Sequence, residues 1–309
     1  MLDYLSSLPG AMVLGLIWTI MALGVFITYK ILNIADLTVD GSFVTGGIVA
    51  AVLITNGMNF GLALLIATLA GAICGLLTAL LHTLLGIPAI LAGILTQMAL
   101  WSINLIISHS RSNISVYSFS YSVLFSQMNV YDALWKIALI VAVFLGLLYI
   151  FFGTELGASI RATGNNQDMA RAQGINTKLN IVIGLMISNG LVALSGALLA
   201  QYQGFADINM GKGAIVIGLC AVVIGTAIFS KIAKNFAVRL LTVAVGGILY
   251  YIVFQTVVFL GLDTDLLKML AAIIVAIFLG VPYLKRTYWP RIKKHFADRK
   301  MIREGANEQ

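Results

Sequence analysis

Long apolar runs alternate with short polar breaks along almost the whole chain. Nine runs stand out, at 11–31, 41–56, 60–81, 89–107, 133–152, 179–203, 212–230, 238–260 and 266–284. A helix rises about 1.5 Å per residue, so about 20 apolar residues cross the hydrocarbon core of a bilayer. The second run is short and the seventh is rich in glycine, so both are expected to be broken or tilted. The pattern predicts an all-α polytopic membrane protein with about nine transmembrane helices. The run 11–31 is long enough to span. It follows neither a basic segment nor a small-residue cleavage site, and it reads as a mature helix rather than a signal peptide.

The polar breaks are unequal. Residues 154–178, TELGASIRATGNNQDMARAQGINTK, form an amphipathic interruption that carries Arg161, Arg171 and Lys178. Asn165 or Asn166 is placed to accept from the first free N–H groups of a helix, and Gly174 to end it. The spacing predicts a helix of about two turns. A bare helix that short is marginal in water and needs a surface to lie against. Lipid headgroups can supply one, and so can another protein. A second long break, 108–132, is rich in Ser and Tyr and long enough to fold over an outer mouth. A third holds Asp263 and Asp265. Both read either as solvated loops or as docking surfaces.

The two halves of the chain resemble each other. Ile34-Ala35-Asp36-Leu37-Thr38-Val39 aligns with Phe205-Ala206-Asp207-Ile208-Asn209-Met210, and without a gap Gly47 falls over Gly218, Ala50 over Ala221 and Thr55 over Thr226. Each copy follows a long apolar helix and precedes a glycine-rich apolar run. With nine crossings the two lead helices run in opposite senses, so the repeats are inverted, an architecture common among transporters.

Composition agrees with a bilayer. The chain has 309 residues, 60% hydrophobic and 10% charged, where a soluble domain carries about 25% charged residues. Mean hydropathy is +1.00. The net charge of +7 is spread over loops and tail, not gathered on one soluble face, which argues against nucleic acid and for the anionic cytoplasmic lipid surface. If 154–178 lies in the cytoplasm, Lys30, Lys231, Lys234, Arg239 and the tail cations Lys285, Arg286, Arg291, Lys293, Lys294, Arg299, Lys300 and Arg303 lie on the same side. Only Arg111, Lys136, Lys212 and Lys268 lie opposite. The positive-inside rule then puts the N-terminus outside and the C-terminus inside.

Candidate chemistry is sparse. Asp36, Asp40 and Asp207 stand at breaks flanked by Asn33, Gly41, Gln203, Gly204, Asn209 and Gly211. A charge near the bilayer centre costs about 2.5–3.5 kcal/mol on insertion scales and normally faces a bundle interior. Alternatively these residues cap the following helices, and both readings can hold together. Gln97, Asn104, Asn189, Gln201 and Gln255 are explained by hydrogen bonds between helices. Gln97 and Asn104, seven apart, share one helix face. Gly71 with Gly75, and Gly153 with Gly157, read as sites of close helix packing. Cys74 and Cys220 lie within apolar runs, and His82, His109 and His295 are scattered, so neither type suggests a metal or a disulfide. Gly211-Lys212-Gly213 imitates a phosphate loop, but Ala206 replaces its first glycine and Gly213 its Ser or Thr. No H-E-x-x-H or G-x-S-x-G is present, and an enzyme is not indicated.

The pattern GxxxRAxGxNxxxARxxGIN, followed by a span ending in SGALLAQYQG, resembles the permease subunits of bacterial ABC importers in the branched-chain amino acid and ribose permease superfamily. KILNIADLTVDGSFVTGG resembles the segment between that family's first two helices. The details IADLTVDGSF and GFADINMGKGA are most similar to a subgroup associated with tryptophan or tyrosine. The resemblance covers nearly the whole chain as one permease domain, 1–309. Repeat one spans about 11–152, the coupling segment 154–178, repeat two about 179–284, and a basic tail 285–309. It implies that Gly164, Asn165, Asp168, Arg171, Gly174 and Ile175 belong to a cytosolic coupling helix docked on an ATPase. It implies further that Asn33, Asp36, Asp40, Asp207 and Asn209 lie near the translocation pathway. The implied partners are ATP-binding cassette subunits holding ATP and Mg, an extracytoplasmic binding protein, a second permease copy and membrane lipids. The chain itself would carry no cofactor and would sit in the bacterial cytoplasmic membrane. An ion-coupled secondary transporter using the buried aspartates is the competing reading. It leaves the 154–178 segment unexplained.

Overall fold

A computed structural model describes residues 2–116, 123–229 and 235–261, and positions 269, 272, 273, 276, 277 and 280. Its helices follow the apolar runs. They are α1 (Leu2–Phe26, continued by a π-helical turn Ile27–Ile31), α2 (Val39–Thr55), α3 (Phe60–Thr83), α4 (Ala89–Ile107) and α5 (Val130–Gly153). Then come α6 (Glu155–Asn165), α7 (Gln167–Ala172), α8 (Thr177–Gln203), α9 (Ala214–Ile228) and α10 (Phe236–Phe259). Two short strands, β1 (Asn113–Ser115) and β2 (Phe205–Asp207), pair antiparallel.

Six of these helices are long and apolar enough to cross a membrane, namely α1, α3, α4, α5, α8 and α10, and α2 and α9 are shorter apolar helices. The two runs expected to be irregular are therefore the two short ones. The ninth run, 266–284, lies largely outside the described residues, as do the Asp263–Asp265 loop and the basic tail. The chain is a polytopic α-helical membrane protein.

The lead helices α1 and α8 form the buried centre, whereas α4 and α5 present mostly exposed apolar faces. Exposed apolar side chains on a spanning helix have lipid, not water, as their solvent. Small residues let the central helices approach closely. Any side chain at Gly46 would strike the Ala193 backbone, and one at Gly196 would strike Phe43. Gly71 and Gly75 meet Asn189, Leu185 and Ala193 in the same way, so this pair is a packing site between α3 and α8. Gly153 and Gly157 are not such a pair. Thr154 breaks the helix between them, Gly157 packs on the Phe152 backbone and Gly153 meets nothing.

The repeat is visible atom by atom. Asp36 and Asp207 are 171 positions apart. Ser188 Oγ donates to the Gly24 carbonyl at 2.8 Å, and Ser195 Oγ donates to the Ile17 carbonyl at 2.7 Å. Ile17 and Ser188 correspond at that spacing, and so do Gly24 and Ser195. The two bonds join the same two pairs of corresponding positions across the halves, although both serine donors lie on α8 and both carbonyl acceptors on α1. The helix pairs exchange likewise: α3 packs on α8 and α10 on α1, α2 on α8 and α9 on α1. Thr55 Oγ1 bonds back to Ala51 and Val52, and Thr226 Oγ1 to the corresponding Val222 and Val223. Asp40 corresponds to Gly211, and the two touch each other, which puts that contact on the pseudo-axis.

Candidate functional site

Between the repeats the chain builds a structure that neither repeat contains. Thr154 Oγ1 accepts from Gly157 N and opens α6. Asn166, not Asn165, caps the next helix, with Oδ1 accepting from Met169 N at 3.0 Å. Gly174 follows α7 at φ 80°, a left-handed conformation that glycine adopts without a Cβ penalty. Ile175 N then donates to the Ala170 carbonyl at 3.0 Å. Asn176 Oδ1 caps α8 through Leu179 N at 3.1 Å. The two-turn helix expected here is α7. The sequence reading did not separate α6, which precedes it.

The six residues assigned to coupling fall into two groups. Asp168, Arg171 and Gly174 are exposed on and just after α7, with Ile175 half-buried behind them. Arg171 Nε donates to Thr177 Oγ1 at 2.9 Å, and its pair with Asp168, 3.7 Å apart, is exposed. Such surface pairs contribute little. Gly164 instead lies under α6, where any side chain would strike the Ile31 carbonyl at the π-helical end of α1. Asn165 ends α6 and lines a cleft of about 710 Å³ together with Lys30, Arg161 and Arg239.

Several functional candidates escaped the sequence reading. Met169 projects from α7 with 63% of its surface exposed, beside the buried Ala170. A capped helix carrying one exposed methionine is a suitable knob for a protein groove. Asn180, at the base of α8, is buried and donates to Thr163 Oγ1 at 2.9 Å, while its Oδ1 accepts from Ser159 Oγ at 3.2 Å. Thus α6 is held on one side by the end of α1 and on the other by the start of α8. The i, i+4 spacing of Ser159 and Thr163 was the available signal.

The aspartates are dispersed. Asp36 is 3% exposed. Its Oδ1 accepts from Thr38 N at 2.9 Å and its Oδ2 from Asn189 Nδ2 at 2.7 Å. Asn189 also accepts from Ser42 Oγ at 2.6 Å and donates to the Leu185 carbonyl. Thr38 continues the network to Thr78 at 2.7 Å, and Thr78 to Thr96 at 3.0 Å. Asn33, three residues earlier, is exposed at φ 56° and closes the end of α1. Asp207 Oδ1 accepts from Asn209 N at 2.7 Å in the β2–α9 connection, an exposed bond. Asp40 reaches across from α2 to the start of α9, accepting from Gly213 N at 3.0 Å and Ile215 N at 2.8 Å. The first turn of α2 thus supplies a carboxylate to the N-terminus of α9, where the helix carries partial positive charge.

The 108–132 break, as far as it is described, lies against the far end of α8. Leu124 N donates to Gln201 Oε1, Gln127 N to the Tyr202 carbonyl and Val116 N to the Gly204 carbonyl. This end, where β1 pairs with β2, is opposite the α6–α7 end.

Repeated apolar helices of spanning length with a capped surface helix between the halves define a polytopic membrane protein of two repeats. The comparisons with known proteins agree. Residues 7–280 match the family "Branched-chain amino acid transport system / permease component", and the chain belongs to that family. It is 39% identical over 279 residues to a tyrosine transport system permease protein of Clostridioides difficile, covering 89% of this chain and 91% of the relative. It is 26% identical to a fructose import permease protein of Bifidobacterium longum, over 78% of this chain and 68% of the relative. It is 27% identical to a D-allose transport system permease protein of Escherichia coli, over 69% and 64%. No solved structure matches. The resemblance to ABC permease subunits is thereby established, and these relatives are named as transporter components, not enzymes.

Proposed function

We propose that this chain is the permease subunit of an ATP-driven importer that passes a small solute, an amino acid and within that class an aromatic one, from an extracytoplasmic binding protein into the cytoplasm. Two copies enclose the pathway. Separate ATP-binding cassette subunits hold ATP and Mg, and the basic α6–α7 end faces the cytoplasm. The observation that carries this reading is the clamp on α6, which fastens an exposed knob, α7, to both central helices at once. The 39% identity to a tyrosine transport permease supports the substrate class.

The clamp suggests how a motor outside the membrane acts on the pathway. A partner gripping Met169 displaces α7, and α6 moves with it. Through Gly164 the displacement reaches Ile31 and the link carrying Asn33 and Asp36. Through Asn180 it reaches the base of α8, whose Asn189 holds Asp36 from the other side. Nucleotide shifts this equilibrium only by binding the two states of the complex differently. An ion-coupled transporter needs a carboxylate open to an ion. Here the buried Asp36 already accepts an N–H bond on each oxygen, which favours a structural role for it.

The test uses the complete transporter in proteoliposomes with L-tyrosine. ATP-dependent uptake is expected, and Met169→Asp combined with Arg171→Glu should reduce it at least tenfold while the permease remains folded. Uptake driven by an ion gradient without any ATPase would overturn the reading.

A further inference from the structure

Beside Asp40, α2, α4 and the β2–α9 connection leave a cleft of about 340 Å³. That volume falls in the range of small-molecule sites, about 300–1,000 Å³. Its α4 wall is formed by Ile94, Gln97, Trp101 and Asn104, which follow one another at steps of three and four and so share a helix face. The opposite wall brings Asp40 and Lys212.

Two observations separate this cleft from a lipid-filled groove. The first is Asn104. It is 1% exposed, and its Oδ1 has no hydrogen-bond partner among the described residues. An unpaired buried acceptor costs about 1–3 kcal/mol. Leucine at this position would avoid that cost, and leucines, isoleucines and methionine surround it on α4. A polar atom kept at such a cost is accounted for by a partner that visits. The second is the charge pattern. Asp40 places a carboxylate in the cleft wall, and Lys212 places an ammonium there. No ion pair joins them among the described residues. Asp40 keeps spare lone pairs after its two backbone bonds. A cleft with both charges on one wall and side-chain amides on the other matches a zwitterion of opposite sense.

We infer that this cleft binds the transported amino acid. Lys212 meets its carboxylate, Asp40 with the side-chain oxygens of Gln97 and Asn104 meets its ammonium, and the exposed faces of Trp101 and Ile94 meet its side chain. Indole offers an apolar surface to aromatic side chains. The inference rests on the permease reading above and adds the location of the solute to it.

The experiment measures uptake of L-tyrosine and L-alanine by the complete transporter in proteoliposomes, together with the thermal stability of each variant. Asn104→Leu is expected to lower L-tyrosine uptake at least tenfold while melting at or above the wild-type temperature, because it removes an unpaired polar atom from the interior. A merely structural Asn104 would not give that combination. Gln97→Met, at a half-buried position, provides a second reading if Asn104→Leu does not assemble, and the same loss is expected. Trp101→Ala should lower the ratio of L-tyrosine to L-alanine uptake severalfold. If the wild type transports L-tyrosine and these variants transport it equally well, the cleft is a lipid groove and the inference fails. If the wild type shows no ATP-dependent uptake of any amino acid, it is the permease reading that fails.

Discussion

Asp36 and Asp207 stand at corresponding places in the two repeats, and each accepts the N–H group two residues ahead. Beyond that shared turn their surroundings diverge. Asp36 is sealed in the interior, gripped by Asn189 and joined through Thr38 to Thr78 and Thr96 on α3 and α4. Asp207 stands in the β2–α9 connection with its turn exposed, and Asn209 beside it is exposed as well. The backbone plan is thus duplicated and the polar wiring is not. The wired copy lies at the end where α6 meets α1, and the other copy lies at the end where β1 pairs with β2. The two central helices are thus packed together by a common plan, and the buried polar network adds a connection from α8 to the α1–α2 link and on to α3 and α4.

The contrast can be broken most severely at Asn189. Asn189→Leu leaves the Asp36 carboxylate buried without its partner, which is expected to cost about 3–5 kcal/mol. Thermal unfolding in detergent should show a large loss, or the chain should fail to accumulate. Asp36→Asn is milder. The side-chain oxygen keeps the turn at Thr38, but an amide donor then faces the Asn189 donor, and a loss of about 1–3 kcal/mol is expected. The serines sharpen the symmetric part. Ser188→Ala and Ser195→Ala each remove one of the exchanged bonds, and each should cost about 1 kcal/mol. Melting temperatures that differ widely between those two variants would contradict the equivalence. Asp207→Asn should have the smallest effect, within about 0.5 kcal/mol, because asparagine makes the same turn on a surface. A loss at Asp207 equal to that at Asp36 would erase the contrast.

Much of this was legible in the chain. Apolar runs of spanning length located the helices, and the two runs that looked irregular are the two short helices α2 and α9. The gap-free match of IADLTV with FADINM gave the spacing that later related Ser188 to Ile17. Asn166 and Gly174 marked α7 because caps and left-handed closures have local chemistry. What was hidden depends on distant neighbours. Nothing local links Asp36 to Asn189, 153 positions away, or tells that Gly164 is pressed against Ile31 rather than exposed with Arg171. Gly153 and Gly157 imitated a packing pair by their spacing, although the polar break already read from Thr154 onward falls between them. Asn104 read as ordinary glue between helices. Only the packed structure reveals that its oxygen has no partner among the described residues.

The central claim, that α7 projects into the cytoplasm and is covered there by a nucleotide-hydrolysing partner, is tested most directly by sided labelling. Met169→Cys, in a chain whose Cys74 and Cys220 are replaced by alanine, would be exposed to a membrane-impermeant maleimide in intact cells and in inside-out vesicles. The account predicts no labelling in cells, labelling in vesicles stripped of peripheral subunits, and protection when the ATPase subunits are restored. Labelling from outside intact cells, or labelling in vesicles that the ATPase leaves unchanged, would contradict it.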